Sequence, residues 1–287
     1  MAKAPGHKFG QVIGNLLEEA SGIILQRFAQ RHRLYLDTKG DRPARKGTNV
    51  VWTDMYGNEH DLDYVLERGG TPEKIGTPLA FIEIAWRRYI KHSKNKAQEI
   101  QGALRPLIET FHEYAPAAGV VLAGDFTAGT INQLKSLGFS VLYFRMKTIG
   151  KAFAGVSEDA KFDEDTSDKE LKNRIEKIEE LSKARLNTVA NNLISLNQKQ
   201  VSSFLYTLER QVTRHVDWVR ILPLYGNSVE YASVEEAISF VQDYHEAEQN
   251  VPLVKYEIEV RYSNGDRVSG QFHEKQDAMR FLKRFLD

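Results

Sequence analysis

The chain has 287 residues, enough to bury a sizeable core in one large or two ordinary domains. Lys plus Arg number 39 and Asp plus Glu number 39, so any electrostatic signature of a nucleic-acid or membrane partner must be local. The absence of cysteine excludes disulfides, thiolate metal sites and a cysteine nucleophile, and fits a reducing compartment. The N-terminus lacks a signal-peptide core, and no apolar run approaches the roughly 20 residues that a membrane helix needs, so a soluble cytoplasmic protein is expected.

Residues 7 to 33 show helical spacing, with Phe9, Ile13, Leu16, Leu17, Ala20, Ile24 and Phe28 at three- and four-residue steps. Glu18 and Glu19 lie mid-helix, and such a pair is usually a solvated face. Glu19 falls beside the apolar stripe and can instead point toward a site. Residues 37 to 47 are polar, basic and punctuated by Gly and Pro, which predicts a loop that either holds phosphates or is simply solvated.

Asn49 to Thr53 is β-prone, and Tyr56-Gly57-Asn58-Glu59 turns it into a second strand over Asp61 to Glu67, together a hairpin. A third strand, Leu79 to Trp86, is almost wholly apolar but carries Glu83 at its middle. A carboxylate in a buried strand is costly unless a cation meets it. If the strands are neighbours, Asp63 and Glu83 converge, an arrangement that suits hard divalent ions such as magnesium. Directly after this strand come Arg87, Arg88, Lys91, Lys94 and Lys96 with no acid among them, which suggests a phosphate-bearing substrate.

Ser93 is placed to cap a helix reaching about Tyr114, with Pro106 as a kink or break. Gly119 to Gly124 is read as a strand, Thr130 to Leu137 as a helix and Ser140 to Phe144 as a strand, so these strands should be parallel with a right-handed crossover. The acidic, polar segment over 156–168 is the expected linker between a core in 1–155 and a C-terminal domain in 169–287. That second domain is predicted as a charged helix from Lys169, a helix over Asn197 to Trp218, a helix from Ser233, and strands Val254 to Tyr262 and Arg267 to Phe272 flanking Asn264-Gly265, a strong hairpin signal. An amphipathic helix closes the chain, and no internal repeat is evident.

The order of elements, with Asp63 in the second strand and Glu83 in the third, resembles the PD-(D/E)xK nucleases, the fold of restriction endonucleases. The resemblance covers about residues 7 to 145, and its motif is short and degenerate. It implies an α/β class with a restriction-endonuclease-like core, αβββαβ, built on a mixed central sheet flanked by helices, followed by a smaller α+β domain. Carried over residue by residue, Asp63 and Glu83 match the family's acidic metal ligands, the carbonyl of Ile84 would face the same ion, and Glu19 corresponds to an acid on the first helix of some members. The half-motif here reads Glu83-Ile84-Ala85, so the family's lysine is missing. Relocation of that lysine makes Lys96 the first candidate, in the first turn of the next helix where the helix dipole adds to its field, and Lys94 the second. Gln98 could bond a water or phosphate from the same turn. Arg87, Arg88, Lys91, Lys94 and Gln98 are the candidate DNA contacts.

The implied activity is magnesium-dependent hydrolysis of DNA phosphodiesters, with manganese able to substitute, by a type II restriction endonuclease or related defence nuclease acting on double-stranded DNA as a homodimer. The alternative is an inactive protein of the same fold that binds nucleic acid or a protein. Asp61-Leu62-Asp63 also has the spacing of nucleotide-sugar transferases, but no nucleotide-binding pattern comes after it, and no Gly-rich phosphate loop occurs. Of eight scattered histidines only His92, beside the basic run, is a catalytic candidate.

Overall fold

The computed structural model describes residues 5–89, 93–156, 166–224, 227–245 and 254–286. The chain forms two compact units, Met1–Val212 and Thr213–Asp287. In the first, α1 (Pro5–His32) leads into β1 (Tyr35–Thr38), a two-stranded ribbon β2 (Val50–Thr53) and β3 (Glu59–Leu62), then β4 (Tyr64–Arg68) and the long β5 (Thr77–Arg87). Next come α2 (Ser93–Thr110), β6 (Ala117–Gly124), α3 (Ala128–Ser136), β7 (Ser140–Arg145), α4 (Met146–Ala154), α5 (Asp168–Glu179), α6 (Lys183–Leu196) and α7 (Gln198–Val212).

The central sheet runs β1-β4-β5-β6-β7, antiparallel up to β5 and parallel from β5 to β7. This is a mixed α/β architecture with helices on both faces. All eight residues of β6 are buried, as a parallel strand covered on both sides demands. Because side chains alternate along a strand, β5 feeds two cores: Ala80 and Ile82 pack with α1, while Phe81 and Ala85 pack with Ala97, Ile100 and Leu104 of α2.

Strand β1 occupies the start of the segment over 37–47 that the sequence predicts as a loop. Asp37 conceals it, since the carboxylate is tolerable inside only because Arg42 meets it. Arg42 Nη1 lies 2.8 Å from Asp37 Oδ2 and 2.7 Å from Glu67 Oε1, and Nη2 lies 2.9 Å from Glu67 Oε2, with all three side chains at most 2% exposed. The carbonyls of Thr71 and Lys74 accept from the same guanidinium. Arg45 donates inward to the carbonyls of Thr38, Gly40, Gly47 and Asn49. These two arginines of the basic loop therefore staple the fold.

The expected linker over 156–168 falls largely outside the described residues. The helices beyond it do not form a separate domain: Leu171, Ile175 and Ile178 of α5, Val189 and Leu193 of α6, and Phe204 and Leu208 of α7 share one apolar core with α1 and the sheet. The boundary falls after Val212 because that core ends there. One long helix from Lys169 is in fact two, parted near Ser182, which caps α6. The helix expected to reach Trp218 stops at Val212, and β8 (Val216–Leu224) begins instead, with alternating burial.

In the second unit, β9 (Val229–Tyr231), α8 (Val234–Asp243), β10 (Lys255–Tyr262), β11 (Arg267–Phe272) and α9 (Lys275–Lys283) complete an antiparallel sheet ordered β11-β10-β8-β9. The hairpin turns at Asn264-Gly265, where Gly265 takes φ +92, a conformation that favours glycine. The unit repeats strand, strand, helix, contrary to the expectation of no repeat. Ile221 and Ile258, mid-strand in β8 and β10, pair directly. Each half carries a ring chain, Tyr231–Phe240–Tyr244 with centroids 5.4 and 5.5 Å apart, and Phe272–Phe281–Phe285 at 4.9 and 5.0 Å.

Candidate metal centre

Asp63 stands where the chain leaves the β2–β3 ribbon and enters the sheet, between β3 and β4, so the single strand expected over 61–67 is two strands meeting at this residue. The antiparallel pairing of β4 with β5 has Tyr64 opposite Ile82, and one step further the register sets Asp63 beside Glu83. Among the described residues, no strand pairs with β5 on its β4 side beyond that point. The Asp63 carboxylate takes the place of the missing strand partner, accepting the Ile84 N–H at Oδ2 over 2.6 Å. Ile84 thus meets the site through its amide.

Glu83 shares its face of β5 with Phe81 and Ala85, the face packed by α2. Burial, then the Asp63 charge, pushes its carboxyl up to about 8. Burial is also the main cause that lifts Asp63 to about 6, opposed by the Ile84 N–H and reinforced by Glu18. Lys96 is the cation that pulls both acids back toward ionisation. Glu83 Oε1 is buried with no hydrogen-bond partner. Burial disfavours the charged form of both adjacent carboxyls, and one of them keeps an unsatisfied oxygen, so a cation placed here would lower the cost of ionising them. Hard oxygen donors of this kind suit magnesium, which commonly takes one or two carboxylates and fills its remaining positions with water and substrate phosphates. Among the described residues no group of three or more His, Cys, Asp or Glu is arranged to hold a metal.

The helix acid whose charge bears on Asp63 is Glu18, and Glu18 and Glu19 both act on the neighbouring Tyr64. The Tyr64 hydroxyl donates to the Glu18 carbonyl at 2.7 Å, which fixes this turn of α1 over β4. Glu18 and Glu19 line one cleft with Tyr64, and Glu19 also lines a second cleft of about 470 Å³ with Lys8, Asn15, Ile178 and Lys183. Asp61, two residues before Asp63, adds negative charge to both acids and accepts from Asn49 Nδ2 at 2.8 Å. Only tertiary placement separates Glu18 from Glu19, since both are exposed on α1.

Ala85, two residues after Glu83, is buried at 3% exposure against α2. Lys96, 22% exposed in its side chain, lies 3.1 Å from Glu99 Oε2. The basic run is not a uniform free patch. Arg87 donates to the Trp86 carbonyl and reaches Glu99. Arg88 donates to the Thr166 carbonyl at 2.7 Å and lies over the Tyr89 ring. Lys94 and Gln98 are exposed on α2, and Lys91 and His92 lie outside the described residues. Ser93 is the first helical residue, and its hydroxyl sits 3.3 Å from Thr130 Oγ1. Glu99 is not among the residues that the sequence singles out, although its three-residue spacing from Lys96 is a legible ion-pair signal.

No protein-family model matches this chain, and no curated protein matches it. A solved structure described as a protein of unknown function, AF1548, is 11% identical, with 56% of this chain and 96% of that chain covered at a TM-score of 0.30. A likeness at that score carries no argument. Among the described residues no helix is long and apolar enough to cross a membrane.

Proposed function

We propose that the first unit is a divalent-metal-dependent endonuclease of the restriction-endonuclease-like class that hydrolyses DNA phosphodiester bonds, as a type II restriction enzyme or related defence nuclease does. The observation that carries this reading is the Asp63–Glu83 pair beside Lys96, with Glu83 Oε1 buried and unpartnered. Asp63 and Glu83 would hold magnesium, or manganese in its place, with Glu18 and Asp61 as further acids whose charge bears on Asp63. Such an ion, when bound, supplies a lowered pKa for water and positive charge for the leaving oxygen. Lys96 would orient the attacking water or steady charge growing on the phosphate, the work of the lysine that Ala85 lacks. The mixed sheet, with one acid on β5 and the other at the entry to the neighbouring β4, supports the family resemblance.

Charge distribution favours the first unit as the DNA-facing one. Residues 213–287 hold nine Lys and Arg against 13 Asp and Glu, a net −4, which leaves the first 212 residues at +4 in a neutral chain. A homodimer would supply the two sites that cutting a duplex needs, and the second unit is the candidate dimerising element. Metal-dependent nicking of supercoiled plasmid tests the reading: conversion to open circle in magnesium but not in EDTA, lost in Asp63→Ala and Glu83→Ala, is expected. A second reading, a nuclease-fold protein that binds without cutting, is favoured by Ala85. Binding of plasmid with no nicking in magnesium or manganese would select it.

A further inference from the structure

We propose that Arg87 and Lys96 form a phosphate clamp beside the acid pair, and that Glu99 fills it in the DNA-free protein as an internal substitute for a phosphate oxygen. The ligand, a phosphodiester of a DNA strand, rests on the nuclease reading above. The clamp itself rests on geometry.

A single carboxylate oxygen, Glu99 Oε2, meets two cations, Lys96 Nζ at 3.1 Å and Arg87 Nη2 at 3.4 Å. Two cationic donors on one anionic oxygen is the coordination that phosphate oxygens seek. The donors come from different elements, the last residue of β5 and the first turn of α2, so the fold itself brings them together. Arg87 is fixed from behind. Its carbonyl accepts the Asp125 N–H at 2.9 Å, Gly124 packs so closely on that carbonyl that a Cβ there would collide with it, and Nη1 donates to the Trp86 carbonyl at 3.0 Å. Nη2 is the end that reaches Glu99.

Glu99 is held loosely by comparison. Its side chain is 56% exposed, and exposed ion pairs contribute only about 0–1 kcal/mol, so an oxyanion of equal or greater charge can displace it. The displaced carboxylate swings into water, while Lys96 stays where its charge already acts on Asp63 and Glu83. The arrangement also explains an acid at the margin of a basic run: it keeps two cations apart from stray anions until a polyanion competes.

The test is DNA affinity of the full chain in EDTA, read by anisotropy of a labelled duplex, so that no cutting is needed. Glu99→Gln and Glu99→Ala should both tighten binding, by roughly three- to tenfold, the range that loss of a weak competing pair allows. The gain should vanish when Lys96→Ala or Arg87→Ala is added, because the freed cations are what produce it. Unchanged or weaker binding in both Glu99 variants, or a gain that persists without Lys96 and Arg87, overturns the clamp. Wild-type binding in EDTA with no metal-dependent nicking would sink the nuclease reading and leave the clamp standing. No binding of DNA by the wild type would overturn both.

Discussion

The charge state of Glu83 gives the most direct access to the site, because its burial should show in stability as well as in activity. A carboxyl raised from 4.5 to about 8 makes the folded state bind more protons than the unfolded one across that window, so stability falls as pH rises through it. Integrating over the shift gives a cost of under about 1 kcal/mol at pH 5 and about 3 kcal/mol at pH 7, since one pKa unit corresponds to about 1.4 kcal/mol. Water entering a half-open site reduces both, so about 1–2 kcal/mol is the expected change between them. Glu83→Gln, which keeps the shape and removes the charge, should therefore stabilise the first unit in EDTA at pH 7 and have much less effect at pH 5. Urea unfolding at both pH values, followed by the fluorescence of Trp52 and Trp86 of the first unit, measures this. Under the proposed function, magnesium at a hundred times its dissociation constant should return about 2.7 kcal/mol to the wild type, and none to the variant if the site is lost. Equal stability of the two proteins in EDTA at pH 7, with a wild type insensitive to pH between 5 and 7, would refute the electrostatic account of the site.

The same geometry sets further outcomes. Lys96→Ala should lower turnover roughly 10²-fold at saturating DNA, and Ala85→Lys in that background should restore part of it; a Lys96→Ala enzyme cutting at the wild-type rate would remove this residue from the chemistry. Lys94→Ala should flatten the plot of log affinity against log salt by about one unit, since its side chain is exposed, whereas Arg88→Ala, tied to Thr166, should change the slope less. Arg42→Ala strands two buried carboxylates and should cost about 3–5 kcal/mol in denaturant unfolding. A fragment ending near Gly155 should fail to fold, because it uncovers the apolar faces of α1 and α4, while residues 1–212 should give a cooperative transition on their own.

The sequence alone marked the strand that carries Glu83, the helix bearing Lys96, the parallel β6 and β7, and the Asn264-Gly265 hairpin. These features are local: apolar runs of strand length, three- and four-residue helical spacing and turn chemistry report the chain's own preferences. It did not reveal β1, because Asp37 reads as polar until Arg42, five residues on, neutralises it inside the protein. Nor did it reveal that α5, α6 and α7 complete the first core, since amphipathic helices carry no label of the surface they will cover. The approach of Glu18 to Asp63 and the capture of Lys96 and Arg87 by one oxygen of Glu99 depend on how α1 crosses β4 and how α2 meets the end of β5. Such distances of a few ångströms between elements far apart in the chain are set by packing, and electrostatic energies vary steeply over that range, so only the tertiary structure could decide them.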